Sequence, residues 1–248
     1  LSSKNISKMN FPGSLVVLVL VWCVAILAEV VKSSADAKLV PSYFSYLKKI
    51  VFEKTMQSYK DNYSDMKTGD YLSRVVELTR TTRDEPDYEV LMRYRLEILN
   101  KHGFSLSQIQ DVIASLDPLP GALDFLDELR SKYELIILSD TFREFAGPLM
   151  RKLNFPTLFC HELKVNNDLI EDIKLRLPDH KRKSVQYLQK LNFEVVAAGD
   201  SYNDLGMLKT ADYCMLFSPP EQLVQEYPDI KVGRDYSSLM SFIESPNS

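Results

Sequence analysis

The sequence predicts an α/β fold, a doubly wound parallel sheet accompanied by a small helical cap domain. Three observations carry that expectation. After Pro118, short apolar runs alternate with segments of helical spacing, the rhythm of parallel strands joined by helical crossovers. Two of those runs end in polar clusters, Ser139-Asp140-Thr141 and Gly199-Asp200-Ser201, as strands do where such sheets bind ligands. Between Pro41 and about Leu116 the spacing is helical, with no convincing strand.

In chain order, Tyr43, Phe44, Leu47, Ile50 and Val51 fall at helical intervals, as do Leu72, Val75, Val76 and Leu78. The polar stretch 62–70 reads as a loop. Pro86 can start a helix that buries Val90, Leu91, Tyr94, Leu96 and Ile98 and stops at Gly103. Residues 105–114 give a further helix. Pro120-Gly121 then opens a helix with Leu123, Phe125, Leu126 and Leu129 on one side. A buried strand at 135–138 follows, and Thr141 with Glu144 three residues on reads as a capped helix start. Strands at 157–160, 194–199 and 213–217 alternate with helices at 181–191 and 202–209. The boundaries read as 1–37 signal-like, 38–116 helical cap and 117–248 core.

The chain has 248 residues and a net charge of −4, so broad affinity for nucleic acid is not expected. Its three cysteines are widely spaced without a CxxC pair, which argues against a disulfide framework or a structural zinc site. The three histidines are equally scattered and read as structural. Leu15 to Ala28 is an unbroken apolar run with Lys4 and Lys8 before it, and Ala35-Asp36-Ala37 downstream resembles a cleavage site. A targeting or anchor segment is the favoured reading, which would make the protein exported or membrane-anchored. A buried first strand is the competing one, although the run exceeds the usual strand length.

The residues that could carry chemistry lie after the strands. Val195 to Gly199 reads as a buried strand ending in Asp200, with Ser201 and Asp204 spaced as a capping box. Two carboxylates at such a strand end are placed to hold a hard cation such as Mg²⁺, and helix capping explains the same residues without one. Ser139 can donate a hydroxyl to a phosphate oxygen, and the amides of Asp140 and Thr141 open toward an anion; simple capping again is the alternative. Lys181, at another helix start, can supply a point charge to a phosphate. A hydroxyl, a lysine and paired carboxylates in that order form a set for handling phosphoryl groups. The sequence contains no GxSxG elbow, Walker loop or GxGxxG.

Three stretches carry a resemblance: Thr-Thr-Arg-Asp-Glu-Pro-Asp-Tyr (81–88), Ile-Leu-Ser-Asp-Thr-Phe (137–142) and Ala-Ala-Gly-Asp-Ser-Tyr-Asn-Asp (197–204). From about Thr81 onward the chain resembles the haloacid dehalogenase superfamily. Within it the similarity is closest to the phosphoserine phosphatases, especially the type that is also a phosphoserine:homoserine phosphotransferase. The resemblance implies a cytoplasmic, Mg²⁺-dependent enzyme of amino-acid biosynthesis acting on a small phosphorylated amino acid, with homo-oligomers possible in the family. It makes Ser139 the phosphate binder and Lys181 the lysine that steadies the transferring group. Asp200 would ligate Mg²⁺, Asp204 would support the metal shell, and Asn203 would lie near the phosphate. Arg95 would grip the substrate carboxylate, while an exposed helix arginine is its ordinary reading.

The family also begins with an apolar strand ending Asp-x-Asp or Asp-x-Glu, whose first Asp attacks phosphorus. No such motif is found here. Aligning Leu39-Val40-Pro41 with the segment after that motif places Ser34 at the nucleophile and Asp36 at the acid/base position, across an insertion of roughly 25 residues, long for a loop. Without the nucleophile the sequence leaves three readings: a non-catalytic protein on the same scaffold, a redirected N-terminus, or a mis-assembled start.

Overall fold

The computed structural model describes residues 15–19 and 87–246, except 102 and 115. These divide into two compact units. One holds 15–19, 124–137 and 179–246, and the other 87–123 and 138–178. The segment 138–178 groups with the helices that precede it in sequence.

In the first unit the strands are all parallel. They are β1 (Leu15–Val19), the start of β2 (Glu134–Phe142), β5 (Glu194–Gly199), β6 (Tyr213–Phe217) and β7 (Lys231–Gly233), in the order β2-β1-β5-β6-β7. Val195 to Ala198 are at most 3% exposed, as an unbroken small apolar run requires when both sheet faces are covered. β1 pairs with β5 from Leu15 opposite Glu194 to Val19 opposite Ala198. This corrects the favoured reading of the 15–28 run: its first five residues are an inner strand, not part of a targeting segment. Five residues suit a strand, and the excess length that argued against one belongs to 20–28, outside the described residues. No helix among the described residues is long and apolar enough to cross a membrane.

Helices α3 (Ala122–Lys132), α5 (His180–Lys190), α6 (Leu205–Leu208), α7 (Glu221–Glu226) and α8 (Tyr236–Glu244) follow the strands. α3 buries Ala122, Phe125, Leu126 and Leu129, the stripe read from its sequence. α8 starts at Asp235, whose carboxylate accepts the Ser238 N–H at 2.7 Å. Its first residue, Tyr236, stacks on Phe125 and Phe217 at ring distances of 4.7 and 5.7 Å.

The second unit contains α1 (Tyr88–Lys101), α2 (Leu106–Ala114), the end of β2, α4 (Arg143–Lys152), β3 (Thr157–Asn166) and β4 (Leu169–Lys174). α1 ends before Gly103, whose φ of +67° fits the expected stop. Its buried stripe is Leu91, Met92 and Leu96; Val90 is half exposed, contrary to expectation. β4 lies beside β3 and β3 beside β2, and β3 and β4 form an antiparallel hairpin that the sequence reading did not contain. Its turn, Asn167-Asp168, has φ of 47° and 66°, the left-handed pair that a two-residue hairpin loop needs. Between Lys164 and Val165 the register shifts so that Glu171 is an extra residue in β4. Ile170 and Ile173 therefore both turn inward, and their spacing of three hides the alternation of a strand.

The same turn holds α2. The Leu106 N–H donates to the Asp168 carbonyl at 2.8 Å, and the Ser107 N–H and hydroxyl donate to the Asp168 carboxylate at 2.9 and 2.5 Å. Ser105 and Gln108 add a reciprocal capping box, with bonds of 3.0 and 3.3 Å. The cap expected at Thr141 is not formed. β2 runs through to Phe142, which precedes α4 without a side-chain cap, and Glu144 accepts the Leu163 N–H at 2.9 Å instead.

Candidate active site

The first unit gathers four of the expected residues at the carboxyl end of β5. Ser201 opens a 3-10 turn, Tyr202–Asp204, and Asp204 folds back beneath it, only 1% exposed. One oxygen of Asp204, Oδ2, accepts the N–H groups of Asp200 and Ser201 at 3.1 and 3.0 Å and the Ser201 hydroxyl at 2.8 Å. The other, Oδ1, accepts Lys181 Nζ at 3.0 Å. Lys181 is itself 7% exposed, so the pair is buried and each charge is compensated by the other. The preceding Gly199 makes this possible. A Cβ there would stand 2.7 Å from Asp204 Cβ, closer than carbon atoms approach.

This geometry sorts the paired carboxylates that the sequence placed at the strand end. Both oxygens of Asp204 accept from protein donors, four in all. It orients the Asp200 backbone and anchors Lys181. Asp200, the expected Mg²⁺ ligand, is half buried at the end of β5. Its hard oxygen suits Mg²⁺, which takes one or two carboxylates and fills the rest of its shell with water and substrate phosphate. Asn203 lies exposed on the 3-10 turn.

The second unit holds the other set. Ser139 is 4% exposed near the end of β2, and its Oγ accepts the Thr141 N–H at 3.2 Å. Asp140, between them, is half buried, and its carbonyl accepts a hydrogen bond from the Tyr88 hydroxyl. Arg95 projects from α1 and is not the exposed helix arginine of the alternative reading. Burial pushes its guanidinium down to about 10, with Tyr88 opposing the shift. Its Nη1 lies 3.8 Å from the Met92 sulfur.

Tyr88 and His161 were not singled out by sequence. His161 is buried, its Nδ1 accepts the Arg176 N–H at 3.2 Å, and its ring lies 5.4 Å from that of Tyr88. Tyr88 closes the 81–88 stretch that carried the resemblance, which was the available signal. Ser34 and Asp36, the residues read at the nucleophile and acid/base positions, lie outside the described residues.

A parallel α/β sheet with polar clusters at its strand ends agrees with what known proteins show. The model of the haloacid dehalogenase-like hydrolases matches residues 43–209. The chain belongs to that family. Phosphoserine phosphatase ThrH of Pseudomonas aeruginosa is 50% identical over 163 residues, 65% of this chain and 80% of that protein. A phosphoserine phosphatase of Pseudomonas syringae pv. tomato is 47% identical over 172 residues, 68% and 73% of the two chains. The crystal structure of a phosphoserine phosphatase in apo form superposes with a TM-score of 0.60 at 18% identity, covering 93% of this chain and 98% of that one. That likeness carries the fold of this haloacid dehalogenase-like hydrolase, and the two Pseudomonas enzymes carry the closer kinship.

Proposed function

We propose that this hydrolase removes or transfers the phosphate of O-phosphoserine or a similarly small phosphomonoester, in the cytoplasm and with Mg²⁺. The observation that carries the reading is the buried Lys181–Asp204 pair beside Asp200, a cation and a second carboxylate held in place at a strand end. Kinship to two phosphoserine phosphatases at 50% and 47% identity supports the substrate class.

Each residue then has a role that its bonding allows. Lys181 donates to Asp204 and is held there as a point charge for a phosphoryl oxygen. Ser139 accepts the Thr141 N–H, so its own proton points elsewhere and can be donated to phosphate. Arg95, desolvated on α1, pairs strongly with a substrate carboxylate because little water competes. Asp140, Thr141 and Asn203 are the further phosphate-binding residues that the resemblance implies. Asp200 would hold Mg²⁺, which when bound neutralises charge on the phosphoryl group.

A second reading is favoured by one observation. β1 is an apolar inner strand and the first among the described residues, which suits the family's nucleophile strand, and Leu20-Val21-Trp22-Cys23 follow it; the next acidic residue is Glu29. On that reading the protein binds a phosphorylated metabolite without turning it over. Acid quench after mixing with ³²P-labelled phosphoserine separates the two. The leading reading expects an acid-stable, alkali-labile phosphoprotein; tight binding by calorimetry with no trapped phosphoprotein and no phosphate release overturns it in favour of the second.

A further inference from the structure

We propose that Tyr88 is a positioning residue for phosphate, acting through the Asp140–Thr141 peptide to orient the Ser139 hydroxyl. The inference rests on the reading of Ser139 as a phosphate donor. One peptide group is held at both ends: its carbonyl accepts from the Tyr88 hydroxyl, and its N–H donates to Ser139 Oγ at 3.2 Å. A hydroxyl rotates to suit its partners, so an N–H fixed against one lone pair of Ser139 decides where its proton points. Tyr88 sets the tilt of that peptide plane and hence the direction of the N–H. Each bond in such a chain polarises the next, so loss of the first weakens the last.

Tyr88 is itself held. It occupies the first position of α1, where Asp87 accepts the N–H groups of Glu89 and Val90 at 2.9 and 3.2 Å. Its ring packs against buried His161, whose ring in turn lies 6.1 Å from that of Phe142. Arg95 follows seven residues later on the same face of the helix, two turns along. A single helix therefore carries the residue proposed for the substrate carboxylate and the residue that orients the donor proposed for its phosphate.

Tyr88→Phe removes one hydroxyl and keeps the ring, and Tyr94→Phe on the same helix serves as the control. Inorganic phosphate is titrated calorimetrically into the full chain with Mg²⁺, and KM for O-phosphoserine is measured beside it. Tyr88→Phe should weaken both by the same factor, about three- to tenfold, the worth of one hydrogen bond. In a Ser139→Ala background the Tyr88→Phe effect should vanish, because the hydroxyl acts only through Ser139. Amide exchange across 139–142 should quicken in Tyr88→Phe and stay unchanged in Tyr94→Phe. Unchanged phosphate affinity in Tyr88→Phe, or effects that add in the double variant, would overturn the proposal. Wild-type protein that binds no phosphate overturns the functional reading and Tyr88's role with it, a result seen before any substitution is made.

Discussion

Asp204 shows what a single carboxylate can do when all its acceptor capacity is used inside the protein. Four donors converge on it, and 1% exposure leaves no water to replace any that is lost. Lys181→Met would leave that charge buried without its cation. The loss of stability should be about 3 kcal/mol, at the low end for a broken buried pair because three donors remain. Urea unfolding measures it; a change below about 1 kcal/mol, the scale of an exposed pair, would show that the pair is solvated. The Gly199 to Asp204 stretch was legible as a strand end and capping box, and Ser139 and Lys181 earlier in the chain gave it a phosphoryl reading. The division of labour between Asp200 and Asp204 came only from the resemblance, since both are carboxylates and residue type alone does not tell ligand from support. Tyr88 was hidden for the opposite reason. Its partner is a backbone carbonyl 52 residues away, which no side-chain pattern reports.

Among the elements, strands with continuous apolar runs were read to the residue: β5 and β6 begin and end where the sequence placed them. The β3–β4 hairpin was missed. Its outer strand alternates imperfectly around the bulge at Glu171, and its Asn-Asp turn was not weighed as a hairpin signal. That turn also clasps α2 through Asp168, whose carboxyl the Ser107 and Ser105 hydroxyls and the Ser107 N–H hold below its usual range. For Asp172 the Ile173 N–H does the same, with Arg93 and Lys164 after it, and for Glu162 Lys174 does. A depressed folded-state pKa contributes stability that is complete above the unfolded value, near 4, and is lost as pH falls through the folded one. The melting temperature should therefore hold from neutral pH to about 5 and fall below about 4. Asp168→Asn should lower it at pH 7 and flatten part of the acid decline; a decline as steep as wild type's would separate Asp168 from that acid sensitivity.

At the scale of the whole molecule, the α/β class and the family were legible because alternating strands and helices and two motifs agree. The 15–28 run misled because hydrophobicity alone does not separate a buried strand from a targeting segment; pairing with β2 and β5 separates them for 15–19. The account's central claim is that the carboxyl end of β5 serves a Mg²⁺-dependent phosphoryl reaction. Phosphate release from O-phosphoserine, followed with and without Mg²⁺ in wild type and Asp200→Asn, tests it most directly. The account predicts release that needs Mg²⁺ and falls at least about a hundredfold in Asp200→Asn, the loss of a few kcal/mol of transition-state stabilisation. Turnover that persists without metal, or that survives Asp200→Asn undiminished, would contradict it.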